Sequence, residues 1–220
     1  MTVVSAYAET AILRLGALTG FFRQASLKLA RVPTPGRARL RTVRARCHPT
    51  RYGQDSAQLR ILREVTLVRC VSIVEAYAMD LGEDELYRRL ARPAVRPKAQ
   101  PLVQYLLEHR WEPIVRSGGW EQLLDVWKDG IALNPREFPD WQELDVLRAT
   151  RHSIVHRLGE FTAQYRKKAQ GKLKALGLEP ATATGLIPLS DVDVHAGLAL
   201  GRQFVLWLDD ELAVRAPAIR

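Results

Sequence analysis

The chain has 220 residues, 47% of them hydrophobic, which is enough apolar material for one ordinary core and excludes a disordered tail. Lys and Arg outnumber Asp and Glu by 33 to 24, and the formal charge of +9 points to an anionic partner. Its two cysteines, Cys47 and Cys70, form no CxxC and no Cys/His spacing for structural zinc, so a cytoplasmic protein with reduced thiols is expected. No stretch approaches the roughly 20 uninterrupted apolar residues of a membrane span. Residues 1–23 lack a basic leader and are interrupted by Glu9, Arg14 and Arg23, so neither secretion nor membrane insertion is expected.

Apolar periodicity predicts helices almost throughout. A first helix covers 5–30 and stops before Pro33, Pro35 and Gly36. A connector follows to about Gly53, and from Gln24 to Gln54 there is no acidic residue at all. Arg37, Arg39, Arg41, Arg44 and Arg46 fall there, a density that would draw a polyanion or an acidic protein surface. Residues 54–90 read as the central helix through Leu59, Leu62, Leu67, Val71 and Val74, with a break or kink near Gly82 and a stop at Pro93.

Shorter helices are predicted over 97–116 and 119–129, with Trp111, Trp120 and Trp127 available to the core. Asp140 is placed to cap the next helix through its side chain, which is expected to run on to about Ala175 despite Gly159. Ser190 or Asp191 caps a last amphipathic helix reaching about Val214. No alternating strand pattern competes, so the fold class is all-α, a bundle of helices. The organisation expected is an N-terminal helix and arginine-rich connector over 1–55, then a helical domain over 56–220, together one compact unit.

The segment Arg151-His152-Ser153-Ile154-Val155-His156 sets an arginine and two histidines inside an otherwise apolar helix. At 100° per residue, Leu144, Leu147, Ile154, Val155 and Leu158 share one arc with Arg151 near its middle, and both histidines lie along one edge. A guanidinium on a core-facing arc needs a carboxylate, several hydrogen bonds or a phosphate to offset its desolvation. Glu75 or Asp145 would supply the carboxylate; a phosphate would make this a site. His152 and His156 also form an i, i+4 pair that could hold a metal, but no third ligand is evident, and no metal is assigned. Arg148, Arg157, Lys167 and Lys168 add positive charge around the segment.

These residues resemble the Arg-polar-x3-His signature of HEPN domains, and among them the prokaryotic RNase members. The likeness extends to the helix around Val71-Ser72-Ile73-Val74-Glu75-Ala76-Tyr77, similar to the family's other core helix, and to Leu186-Ile187-Pro188-Leu189 before the last helix. It covers roughly residues 56–212. The resemblance implies an HEPN-like helical bundle acting as a homodimer, with the motifs of two subunits facing each other across a cleft. It implies a metal-independent endoribonuclease without cofactors, in which His156 is the general acid/base and Arg151 clamps the phosphate. Glu75 stands where members often use an acid to orient the Arg.

Two positions depart from the family pattern. His152 stands where Asn is frequent, and a histidine there can donate, accept or titrate, so it is included with the catalytic candidates. Leu158 replaces a Tyr common in members silenced by nucleotide addition, which argues against that form of control. A growth-arresting toxin or antiphage effector acting on RNA is expected, with a cognate antitoxin or other inhibitory protein as a further partner. The alternative is a non-catalytic HEPN-like module that binds RNA, a nucleotide or a protein through the same cleft.

Overall fold

The computed structural model describes residues 4–30, 57–90 and 119–215. The arginine-rich connector, the boundary expected at residue 55 and the helix expected over 97–116 lie outside them. Among the described residues the protein is all-α. Its helices are α1 (Ala6–Ala30), α2 (Ala57–Leu90), α3 (Gly119–Gly130), α4 (Trp141–Arg157), α5 (Ala163–Lys168), α6 (Gln170–Ala175) and α7 (Asp191–Arg215), with a 3-10 turn at Pro135–Glu137. Among the described residues, an isolated bridge between Glu160 and Leu186 is the only extended pairing. No described helix is long and apolar enough to cross a membrane.

Two compact units form, each discontinuous in sequence: one from 1–13, 73–139 and 202–220, the other from 14–72 and 140–201. The first unit is built on aromatic packing. Trp127 is fully buried on α3 and donates its indole N–H to the Ala78 carbonyl at 3.0 Å. Phe138 and Phe204 meet edge to face, their ring centroids 5.3 Å apart. Tyr77 donates to the Val205 carbonyl at 3.1 Å, while the N–H and hydroxyl of Ser5 both donate to buried Asp209. The Ser5 hydroxyl also accepts from Ala8 N–H, so one residue caps α1 and fastens it to α7. No break occurs at Gly82: α2 is continuous helix through it.

In the second unit, Leu67, Leu144, Leu147, Leu173, Val194 and Leu198 form the core. Gly197 lets two elements approach closely, since a Cβ there would stand 2.9 Å from Leu67 and 3.1 Å from Leu147. Cys70 is buried beside it and donates to the Gly197 carbonyl; burial pushes its thiol up to about 12, leaving it inert as a nucleophile. Arg63 is buried and holds the approach to α7 by donating to Asp191 at 2.7 Å and to the Leu189 carbonyl at 3.0 Å. Ser190 and Asp193 then cap α7 reciprocally, side chain to backbone in both directions.

The end of α4 corrects the sequence expectation. Helix does not continue to Ala175: it stops at Arg157, with Leu158 and Gly159 in the left-handed region at φ 53° and 80°. The Leu158 and Gly159 N–H groups both return to the Ser153 carbonyl, a C-terminal stop that glycine makes without steric cost. Two short helices, α5 and α6, replace the expected extension. Asp140 also differs: it precedes α4 but makes no side-chain capping bond.

Gly159 is the tightest point of this turn. A Cβ there would lie 2.8 Å from a Glu64 carboxylate oxygen and 3.0 Å from the Arg60 guanidinium. Gly159→Ala should therefore destabilise the protein by about 1–3 kcal/mol, combining left-handed strain with displacement of the Arg60–Glu64 ion pair. The denaturant midpoint measures this, and an unchanged midpoint would contradict the tight turn.

Candidate active site on helix α4

The buried side of α4 is made by Leu144, Leu147, Ala149, Thr150 and Ser153. Two of these are polar, and both are satisfied locally: Thr150 donates to the Val146 carbonyl at 2.8 Å, and Ser153 shares a hydrogen bond with Thr162 at 3.0 Å. Small satisfied hydroxyls thus occupy the core side towards the helix end. Val155, placed on the core arc by sequence, is 49% exposed, and Leu158 is 84% exposed. Thr162 continues the chain by capping α5 through the Tyr165 N–H at 3.1 Å.

Arg148, Arg151 and Val155 follow buried Leu144 at helical spacing, and the stripe they make passes from buried to exposed towards the helix end, with His152 and His156 along its edge. Arg148 and Arg151 are partly buried with their Nε atoms shielded from water, whereas His152 and His156 are exposed. The two imidazoles stand 4.6 Å apart between ring centroids, inclined by 45°. Desolvation, followed by the positive charges of His156, Arg151, Arg148 and Arg157, holds the His152 imidazole below its ordinary pKa. Arg157 closes the helix as an exposed cation.

Asp145, one turn before Arg148, gathers part of the positive charge. It accepts from Lys168 at 2.5 Å and lies 3.5 Å from Arg148. Lys168 is therefore tied down between α5 and α4, while Lys167 beside it is exposed. Glu75 is partly buried on the portion of α2 that belongs to the first unit. Arg37, Arg39, Arg41, Arg44 and Arg46 lie outside the described residues. His195 is exposed and meets Phe22 edge to face, their ring centroids 5.4 Å apart.

Charge is unequal between the units. The described residues of the second carry fourteen Lys and Arg against eight Asp and Glu; those of the first carry six against thirteen. A polyanion would therefore be drawn to the unit that holds the Arg/His stripe. Among the described residues no group of three or more His, Cys, Asp or Glu is placed to hold a metal ion.

Sequence reasoning missed three supports of this stripe: the Leu158-Gly159 stop, the Arg60–Glu64 pair beneath it, and Asp145 as the anchor of Lys168. Gly159, read only as a cost within a longer helix, was the signal for the first. Compared with known proteins, the chain matches no family model, no curated protein and no solved structure.

Proposed function

We propose that this protein is a metal-independent endoribonuclease of the HEPN type, acting as a homodimer whose two Arg/His stripes face a shared cleft. The observation that carries the reading is the stripe itself: a partly buried arginine and two exposed imidazoles on one face of a helix, within the basic unit of an all-α chain. Arg151 offers a planar fork of donors to non-bridging phosphate oxygens and stabilises the charge that builds there. His156 acts in proton transfer, the role for which imidazole is suited near neutral pH. Exposed Arg157 and Lys167 would contact flanking phosphates without reading bases.

Attack by the ribose 2′-hydroxyl on phosphorus, with loss of the 5′-oxygen, leaves a 2′,3′-cyclic phosphate and a 5′-hydroxyl. An RNA oligonucleotide should therefore be cut and the same sequence in DNA spared. Cleavage of both, or of neither, contradicts the reading.

Exposed apolar groups support the dimer. Val155 and Leu158 flank the histidines, and Gly159 rests on the turn of α2 that also carries exposed Ile61 and Val65. Exposed apolar side chains beside a charged stripe suit burial against a second copy. Leu158→Glu should shift the protein from dimer to monomer in sedimentation velocity and lose cleavage in parallel; a dimeric, active variant would remove this face from the interface.

A further inference from the structure

We infer that the outer side of α5 and α6, through Lys167 and Lys174, is a second row of phosphate contacts, which holds the backbone of a single-stranded nucleic acid away from the bond that is cut. The inference rests on the endoribonuclease reading and deepens it by naming how the strand is held.

Helices α5 and α6 together present one inner and one outer side. The Ala169 N–H donates to the Tyr165 carbonyl at 2.8 Å and the Leu173 N–H to the Ala169 carbonyl at 2.9 Å, so helical bonding carries across the break between them. Tyr165, Ala169 and Leu173, four apart in turn, are all buried and form the inner side. Gln164, Lys167, Gly171 and Lys174 fall opposite, and each is exposed. Thr162 bonds Ser153 and Lys168 bonds Asp145, so α5 runs antiparallel beside α4 and is fixed to it at both ends.

The cations of this segment divide into two groups. Lys168 and Lys172 are paired with Asp145 and Asp193, each at 2.5 Å, and Arg166 donates to the Ala183 carbonyl at 3.2 Å. Those three are engaged within the protein. Among the described residues no carboxylate pairs with Lys167 or Lys174, and the sequence from Phe161 to Leu178 contains no acidic residue. The two free lysines are two helical turns apart, about 10 Å along the axis, which spans about three nucleotides of a stacked strand at roughly 3.4 Å each.

Between them the helix surface is bare. A Cβ built on Gly171 meets nothing within 4 Å, so packing within the protein does not call for a glycine that weakens the helix. A strand can lie close to the backbone there. The outer side carries no apolar side chain larger than alanine, which leaves nothing to anchor a protein partner or to enter a bilayer. Two unpaired cations on such a surface suit phosphates, and contact of this kind does not read bases.

The test measures equilibrium binding of an oligothymidylate DNA across a salt series. DNA presents the same phosphates and, lacking the 2′-hydroxyl, stays intact. Wild type is compared with the double variant Lys167→Gln, Lys174→Gln, and with Lys128→Gln, which removes an exposed lysine of the first unit. The double variant's plot of log affinity against log salt should be shallower by about 1.4, or about 0.7 per phosphate contact, so that the wild-type advantage falls about sevenfold between 50 and 200 mM salt. Lys128→Gln should keep the wild-type slope. On an RNA oligonucleotide the double variant should raise KM severalfold with kcat unchanged, as expected for binding that ground and transition states share. An unchanged slope in the double variant, or an equal loss in Lys128→Gln, overturns the row of contacts and leaves the endoribonuclease reading in place. The expected slope loss in a protein that cuts no RNA supports the row and overturns that reading. A wild-type protein that binds neither oligonucleotide overturns both.

Discussion

His156→Ala is expected to lose cleavage of ordinary RNA by roughly 10²- to 10⁴-fold while leaving helix content, thermal midpoint and dimer unchanged. The separation of activity from stability follows from where the residue sits. His156 is exposed in the last turn of α4, past Ser153, the last buried residue of that helix, and its removal opens no cavity. Helix capping also survives the change, because the stop at Leu158 and Gly159 is made by backbone groups returning to the Ser153 carbonyl. Single-turnover cleavage and circular dichroism on the same preparation measure both halves. An active variant would remove His156 from the mechanism, and an unfolded one would show that its role is structural.

Arg151→Lys is the second large effect, expected at roughly 10²- to 10³-fold in kcat/KM. Lysine keeps the charge and much of the length, so a requirement for charge alone would be met. What it lacks is the planar fork that can contact two phosphate oxygens together, and a compact ammonium is more strongly hydrated at a partly shielded position. Arg151 is partly buried, with Nε withdrawn from water. Because Arg151 lies nearer the core than the histidines, its replacement should also cost some stability. Measuring KM and kcat separately resolves binding from transition-state stabilisation, and full activity would remove the clamp.

Long periodic elements were legible from sequence because burial follows apolar spacing closely in them. The first helix, expected over 5–30, is Ala6–Ala30, and the central one, expected over 54–90, is described as Ala57–Leu90. The last helix was legible from Ser190 and Asp191, since a short side chain before an apolar run satisfies free amides, and here Ser190 and Asp193 do so reciprocally.

The motif helix was harder for two physical reasons. Its core side depends on Thr150 and Ser153, whose hydroxyls find partners within reach, so polarity misjudges their burial and Val155 is displaced outward. Its end depends on Leu158 adopting a left-handed conformation, which leucine rarely does and which the following glycine makes possible. Neither error touches the spacing of Arg151, His152 and His156, because all three sit on one helix and their spacing is local. What local spacing could not provide was the support from α2 beneath Gly159 and the fastening of Lys168 to Asp145, contacts between residues far apart in the chain.

The most direct test of the central claim is incubation of the purified wild-type protein with total RNA in EDTA, followed by chemical mapping of the fragment ends. The account predicts cleavage under these conditions, with 2′,3′-cyclic phosphate on one side of each cut and a 5′-hydroxyl on the other. Intact RNA, or fragments that form only with added metal and carry 3′-hydroxyl ends, would contradict it.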